Sequence, residues 1–193
     1  MIKNKFLLSS LLILIFSFCI FAQTKSIADT ENQIKNFNSP ANFSVAYDIS
    51  KYVTKAELSF DLLTEKDPLE KQFKSFSWQI FSLFAIEGID TKPVRNTLCI
   101  ITQSKKGFKF ASDRNLNILL DSEEINLGEA DRSTELKGRK ATETLCWEID
   151  SQLIKDFASA NKLELQVGNF KRILNASQLQ SLKDYSELIE IKE

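Results

Sequence analysis

Apolar residues recur at every second position through much of this chain, and that period of two constrains the fold more than any other feature. Phe43, Val45 and Tyr47 alternate with Ser44, Ala46 and Asp48, and Ala56, Leu58, Phe60 and Leu62 alternate with Glu57, Ser59 and Asp61. Successive side chains of a strand point to opposite faces, so each run reads as a strand with one buried face. Thr97–Gln103 is a short apolar strand after Pro93. Phe108 and Phe110 alternate after Gly107, and Leu145, Trp147 and Ile149 alternate again. Leu116, Ile118 and Leu120 followed by Ile125 and Leu127 read as a hairpin. With Ser122 and Glu123 as its turn, Ile118 faces Leu127 and Leu120 faces Ile125. The charged stretch 129–142 reads as a loop.

Residues 67–86 carry two signals. Asp67-Pro68-Leu69-Glu70 starts a helix well, with an N-cap residue, proline at the first position and glutamate at the third. Phe76, Trp78, Ile80, Phe84 and Ile86 then alternate, and the run is dense in β-favouring aromatics. The reading adopted is at most one helical turn near 68–72, then a long strand at 74–86. Helical spacing returns in the last third. Ser151–Ala160 places Leu153, Ile154, Phe157 and Ala158 on one face behind Asp150 or Ser151 as cap. Leu163, Leu165 and Val167 form a strand, and Gly168-Asn169 makes a two-residue turn into Phe170. Asn175 caps the last helix, with Gln178 at its third position and Leu174 and Leu179 as a hydrophobic staple. Strands first, then helices interleaved with a final hairpin, predict a mainly β (α+β) chain. The expected architecture is an antiparallel β-sandwich with two short C-terminal helices, not a parallel α/β fold.

The 193 residues suit one domain with a sizeable core. Met1–Ala22 has a basic start (Lys3, Lys5), an apolar stretch Phe6–Ile20 and a small residue at its end, the layout of an export signal. Cleavage is expected between Ala22 and Gln23. An uncleaved anchor would need a longer apolar run without Ser9, Ser10 and Ser17. Lipidation at Cys19 would need a residue smaller than Phe18 before it. Residues 23–41 then form a mobile N-terminal arm, and 42–193 a single β-rich domain with no membrane span. Export makes the location periplasmic or secreted and leaves Cys99 and Cys146 in the mature chain. An even pair in an oxidising compartment suggests one disulfide. Two buried free thiols acting as small hydrophobes are the alternative.

Several chemistries are closed. The chain has no histidine, which removes Ser-His-Asp and Cys-His nucleophile systems and imidazole metal sites. Its 25 basic and 26 acidic residues form no basic stripe. The densest cluster, Lys137-Gly138-Arg139-Lys140, suits a solvated loop better than a phosphate site, so no nucleic-acid partner is expected. With 5 glycines, no Gly-rich phosphate loop is present.

The runs Phe108–Ala130, Glu143–Asp150 and Leu153–Leu182 together resemble a group of small exported bacterial proteins of unknown function, over residues 108–189. Asp113, Arg114, Leu116, Leu119, Asp121, Leu127, Gly128, Ala160, Glu164, Gly168 and Leu174 occupy similar places. Ser122 stands where the group often has glycine, and Lys171-Arg172-Ile173 departs from its usual phenylalanine position. The resemblance implies a mainly β exported domain and carries over no active-site residue.

Candidate sites each have a plainer reading. Asp121, Glu123 and Glu124 could ligate Ca²⁺, yet lack the spacing of a dedicated loop and suit a solvated turn. Asp113-Arg114 reads as a turn whose arginine pairs locally. Glu143 and Glu148 are a possible carboxylate pair. Phe76, Trp78, Phe81 and Phe84 could line a cavity for an apolar ligand, but read more simply as core. Asn42-Phe43-Ser44 and Asn175-Ala176-Ser177 match a glycosylation sequon, although Asn175 is better explained as a cap. No catalytic, cofactor or metal residue is assigned. The expected function is a non-enzymatic binding or envelope-interaction module with a protein partner. The alternatives are a carrier of a small apolar ligand and, third, a hydrolase using carboxylates or a Ser-Lys pair.

Overall fold

Alternation along one long strand organises the core. In β3 (Phe73–Phe84), Phe76, Trp78, Ile80, Ser82 and Phe84 are buried on one face while Ser77, Gln79, Phe81 and Leu83 lie on the other. The computed structural model describes residues 42–63, 67–85 and 92–190. The Ala22–Gln23 cleavage point, the arm 23–41 and Ile86 fall outside them. β1 (Asn42–Asp48) and β2 (Val53–Asp61) precede a single 3₁₀ turn, Pro68–Lys71, whose Leu69 N–H is met by the Asp67 carboxylate. β4 (Arg95–Ser104), β5 (Asn115–Leu120), β6 (Glu123–Glu129), β7 (Asp131–Lys137) and β8 (Lys140–Ile149) follow β3. Helix α1 (Ser151–Ser159), strands β9 (Leu163–Val167) and β10 (Phe170–Ile173) and helix α2 (Ala176–Ile189) end the domain.

The strands form two antiparallel sheets, a six-stranded one in the order β1-β2-β3-β4-β8-β7 and a four-stranded one in the order β10-β9-β5-β6. Cross-strand rows on the inner face of the large sheet are continuous. Phe60, Trp78, Ile100 and Leu145 stand abreast, as do Leu58, Ile80, Leu98 and Trp147. The small sheet covers one part of this face: Phe170 meets Phe73 edge-on at 5.0 Å and Phe110 at 5.3 Å. The helices cover another part, with Phe157 of α1 against Trp78 at 5.8 Å and Tyr185 of α2 stacked on Phe43 at 6.1 Å. The mainly β, sandwich-like α+β architecture expected from the alternation is the one observed.

Both helices start as their sequences dictate. Asp150 accepts from Leu153 N, and Asn175 and Gln178 form a reciprocal capping box. The Gly168-Asn169 turn sets Phe170 opposite Val167, as read from sequence.

Three expectations are corrected. The β5–β6 hairpin turns at Asp121-Ser122, so Ile118 faces Ile125 and Leu120 faces Glu123, a slip of two residues that leaves every side chain on its expected face. Asp121 takes φ 51°, a left-handed conformation that Asp tolerates, and its carboxylate accepts from Asn161 N at 3.1 Å and Lys162 N at 2.9 Å. Phe108 and Phe110 are not in a strand, because the backbone N–H groups of Lys109 and Phe110 are drawn to the buried Glu143 carboxylate instead of a ladder. Residues 129–142 are not a loop: they hold the last residue of β6, Ala130, β7, the Gly138-Arg139 turn and the start of β8.

A buried polar chain fastens the helices to the sheet. Tyr185 Oη donates to Ser82 Oγ at 2.8 Å, Ser82 Oγ to Asn96 Oδ1 at 2.7 Å, and Asn96 Nδ2 to Ser151 Oγ at 3.0 Å. Burial pushes the Tyr185 hydroxyl well above the usual tyrosine pKa; the Ser82 hydrogen bond opposes this and the nearby Glu57 charge adds to it. A raised folded-state value means that this stability is complete below about pH 10 and is lost as pH climbs beyond it. Tyr185→Phe is therefore expected to cost about 1–2 kcal/mol at neutral pH. It should also flatten the alkaline decline in unfolding midpoint, and equal slopes above pH 10 for both proteins would contradict this account.

Candidate functional site

Strand β7 lies at the rim of the large sheet and is exposed along nearly its whole length. It continues from β6 of the other sheet with Ala130 between them, so one run of chain serves both layers. Gly128 makes the corner at φ 72°, a conformation that glycine adopts without the steric cost a Cβ brings. Its N–H meets Asn126 Oδ1 at 2.6 Å and its carbonyl accepts from Trp147 Nε1 at 2.9 Å.

The ladder settles which backbone groups of β7 face outward. Cys99 and Cys146 are directly opposed with Cα atoms 4.2 Å apart, the spacing of a non-hydrogen-bonded pair. The N–H and C=O of Cys146 therefore point to β7, where Asp131 is its partner. Alternation then turns Asp131, Ser133, Glu135 and Lys137 toward β8, and Arg132, Thr134 and Leu136 toward the open side. Leu136 is 61% exposed, so the second layer does not reach beneath this end of the strand.

One side chain anchors this rim. Arg132 reaches inward, and its Nε and Nη2 donate to Glu143 Oε1 at 3.1 and 2.8 Å. Glu143 is fully buried, and also accepts from the backbone N–H of Lys109 and, at 3.1 Å, of Phe110. The Phe108 ring lies against the guanidinium with its centroid 5.1 Å away. A charged group can be buried here because each carboxylate oxygen has a donor.

The other candidates separate. Cys99 and Cys146 are joined as a disulfide across β4 and β8. Glu148 lies on the face opposite Glu143 and pairs with Arg95 at 2.9 Å, so these carboxylates do not converge. The Asp121 carboxylate is turned to the β9 approach and not to Glu123 and Glu124. Arg114 pairs with Glu129 at 2.6 Å, and Asp113 accepts from Asn115 N at 3.3 Å. Phe76, Trp78 and Phe84 are core, whereas Phe81 lies on the outer face under the Lys55 ammonium at 3.8 Å. Asn175 is the helix cap.

A notch of 420 Å³ lies between the start of α1 and the end of α2, with Ser151 and Ser186 in its wall and the Lys155–Glu190 ion pair, 2.9 Å, across it. Ser151 and Lys155 sit one helical turn apart, but Lys155 is directed to Glu190.

Sequence reasoning missed β7. A rim strand with both faces wet has no hydrophobic alternation to reveal it. The available signal was Gly138-Arg139, a two-residue turn ahead of the alternating strand β8. Comparison with protein-family models, curated proteins and solved structures finds no match to this chain.

Proposed function

We propose that this chain is an exported, non-enzymatic binding module that engages a protein partner through the open rim of β7. The observation that carries the reading is the set of outward backbone groups of Arg132, Thr134 and Leu136, which have no ladder partner among the described residues. A row of such groups is a template for an added strand. The β7–β8 ladder orients these groups, and the Arg132–Glu143 ion pair ties the strand to β8 at 2.8 Å. Export is in keeping with the Cys99–Cys146 disulfide, which suits an oxidising compartment. Among the described residues no helix is long and apolar enough to cross a membrane.

The test is a photo-reactive residue at Ser133 in the protein produced by its own host. Irradiation should give a defined adduct that disappears when Thr134→Pro is added. Proline at this place removes an outward N–H and leaves the bonds to β8 intact. Adduct formation indifferent to Thr134→Pro, or no adduct at all, would refute binding at β7.

A further inference from the structure

The sequence of β7 is complementary to itself. The seven residues Asp131–Lys137 centre on Thr134, with an acid at one end and a base at the other. Consider two copies of the strand laid antiparallel about a two-fold axis at Thr134. Outward-pointing residues must pair with outward-pointing residues, and this register satisfies that rule: Arg132 meets Leu136 and Thr134 meets its own copy. On the other face Asp131 stands opposite Lys137 twice over, and Ser133 opposite Glu135.

Neighbouring registers are worse. Sliding by two residues one way sets Asp131 against Glu135, and sliding the other way sets Glu135 against Glu135. Both place like charges directly opposite, and both shorten the paired length. The exposed Leu136 side chain gains the aliphatic stem of the other copy's Arg132. Lys137, now 80% exposed beside Glu135, lies on the same face as the incoming Asp131.

Resting on the reading of β7 as a binding rim, we propose that its occupant is a second copy of this chain, giving an isologous dimer whose large sheets run on through a β7–β7 seam. A two-fold contact of this kind consumes both rims and closes at two copies.

The experiment is sedimentation of the disulfide-intact chain over a concentration series, with charge-exchange variants. The wild-type chain should show a reversible dimer. Thr134→Pro, which removes an N–H from both sides of the seam, should abolish it. Lys137→Asp alone and Asp131→Lys alone should each weaken self-association by about tenfold, since both symmetric pairs become repulsive. An equimolar mixture of those two variants should restore the dimer, because Asp131 of one then faces Lys137 of the other. A misfolded variant could not be rescued by mixing, so recovery also excludes that explanation. A chain that stays monomeric throughout, or single variants that associate like wild type, would overturn the self-pairing. In the first case a Thr134→Pro-sensitive adduct at Ser133 to a different protein would leave the binding reading standing, and no adduct would end both.

Discussion

Glu143→Ala is expected to destabilise the domain by about 3–5 kcal/mol, the largest effect of any single substitution proposed for it. The carboxylate is fully buried and holds three partners from two separate segments: Arg132 of β7 and the backbone of Lys109 and Phe110. Truncation leaves an arginine side chain only 19% exposed without its counter-charge and strips an acceptor from two N–H groups. The Arg132 exposure lets water recover part of the loss, which argues for the lower end of the range. Denaturant unfolding measures the cost, and a change below about 1 kcal/mol would contradict the anchor. Hydrogen exchange adds a spatial check. Protection should fall first at Lys109 and Phe110 and along β7, while β9 and α2 keep theirs. Replacing both Glu143 and Arg132 with apolar residues of similar size should recover much of the stability, because the expense lies in an unpaired charge rather than in a missing pair.

The second large effect belongs to the disulfide. Cys99→Ser with Cys146→Ser should lower stability by about 3–4 kcal/mol, the chain-entropy value for closing a loop with a sequence separation of 47. The mechanism differs from that at Glu143. β4 and β8 are adjacent in the sheet and remain paired without the S–S bond, so the loss comes mainly from a less restricted unfolded chain. Unfolding free energies from urea denaturation with and without reductant should differ by the same amount for wild type and not at all for the double variant. Coinciding wild-type midpoints, or free thiols in protein isolated without reductant, would refute this.

How far the sequence could be read follows from what each segment buries. Strands with one wet and one dry face declare themselves, which is why β1, β2 and β9 are placed within a few residues and β8 is legible over its second half, Leu145–Ile149. Helix ends were legible because capping is local: Asp67, Asp150 and Asn175 each act on backbone within three residues. The failures share a cause in partners remote in sequence. Phe108–Phe110 leaves the strand pattern because Glu143 takes its N–H groups, and no local signal announces that. The β5–β6 turn was displaced because Asp121 has partners 40 residues away. The candidate rim was the least visible part, since β7 has no dry face on which to write a pattern. The Cys99–Cys146 pairing was accessible by counting alone once Cys19 was assigned to the export signal.

The same covalent bond has a mechanical consequence. Tension applied to the two ends of the domain passes from Cys99 to Cys146 through sulfur, bypassing everything between them. Roughly 160 Å of contour, at about 3.4 Å per residue over that separation, is withheld from extension. β5, β6 and β7 all lie inside the withheld segment. A molecule pulled between two anchor points would thus surrender β1 to β3 or its helices while the rim strand, outside the load path, kept its shape.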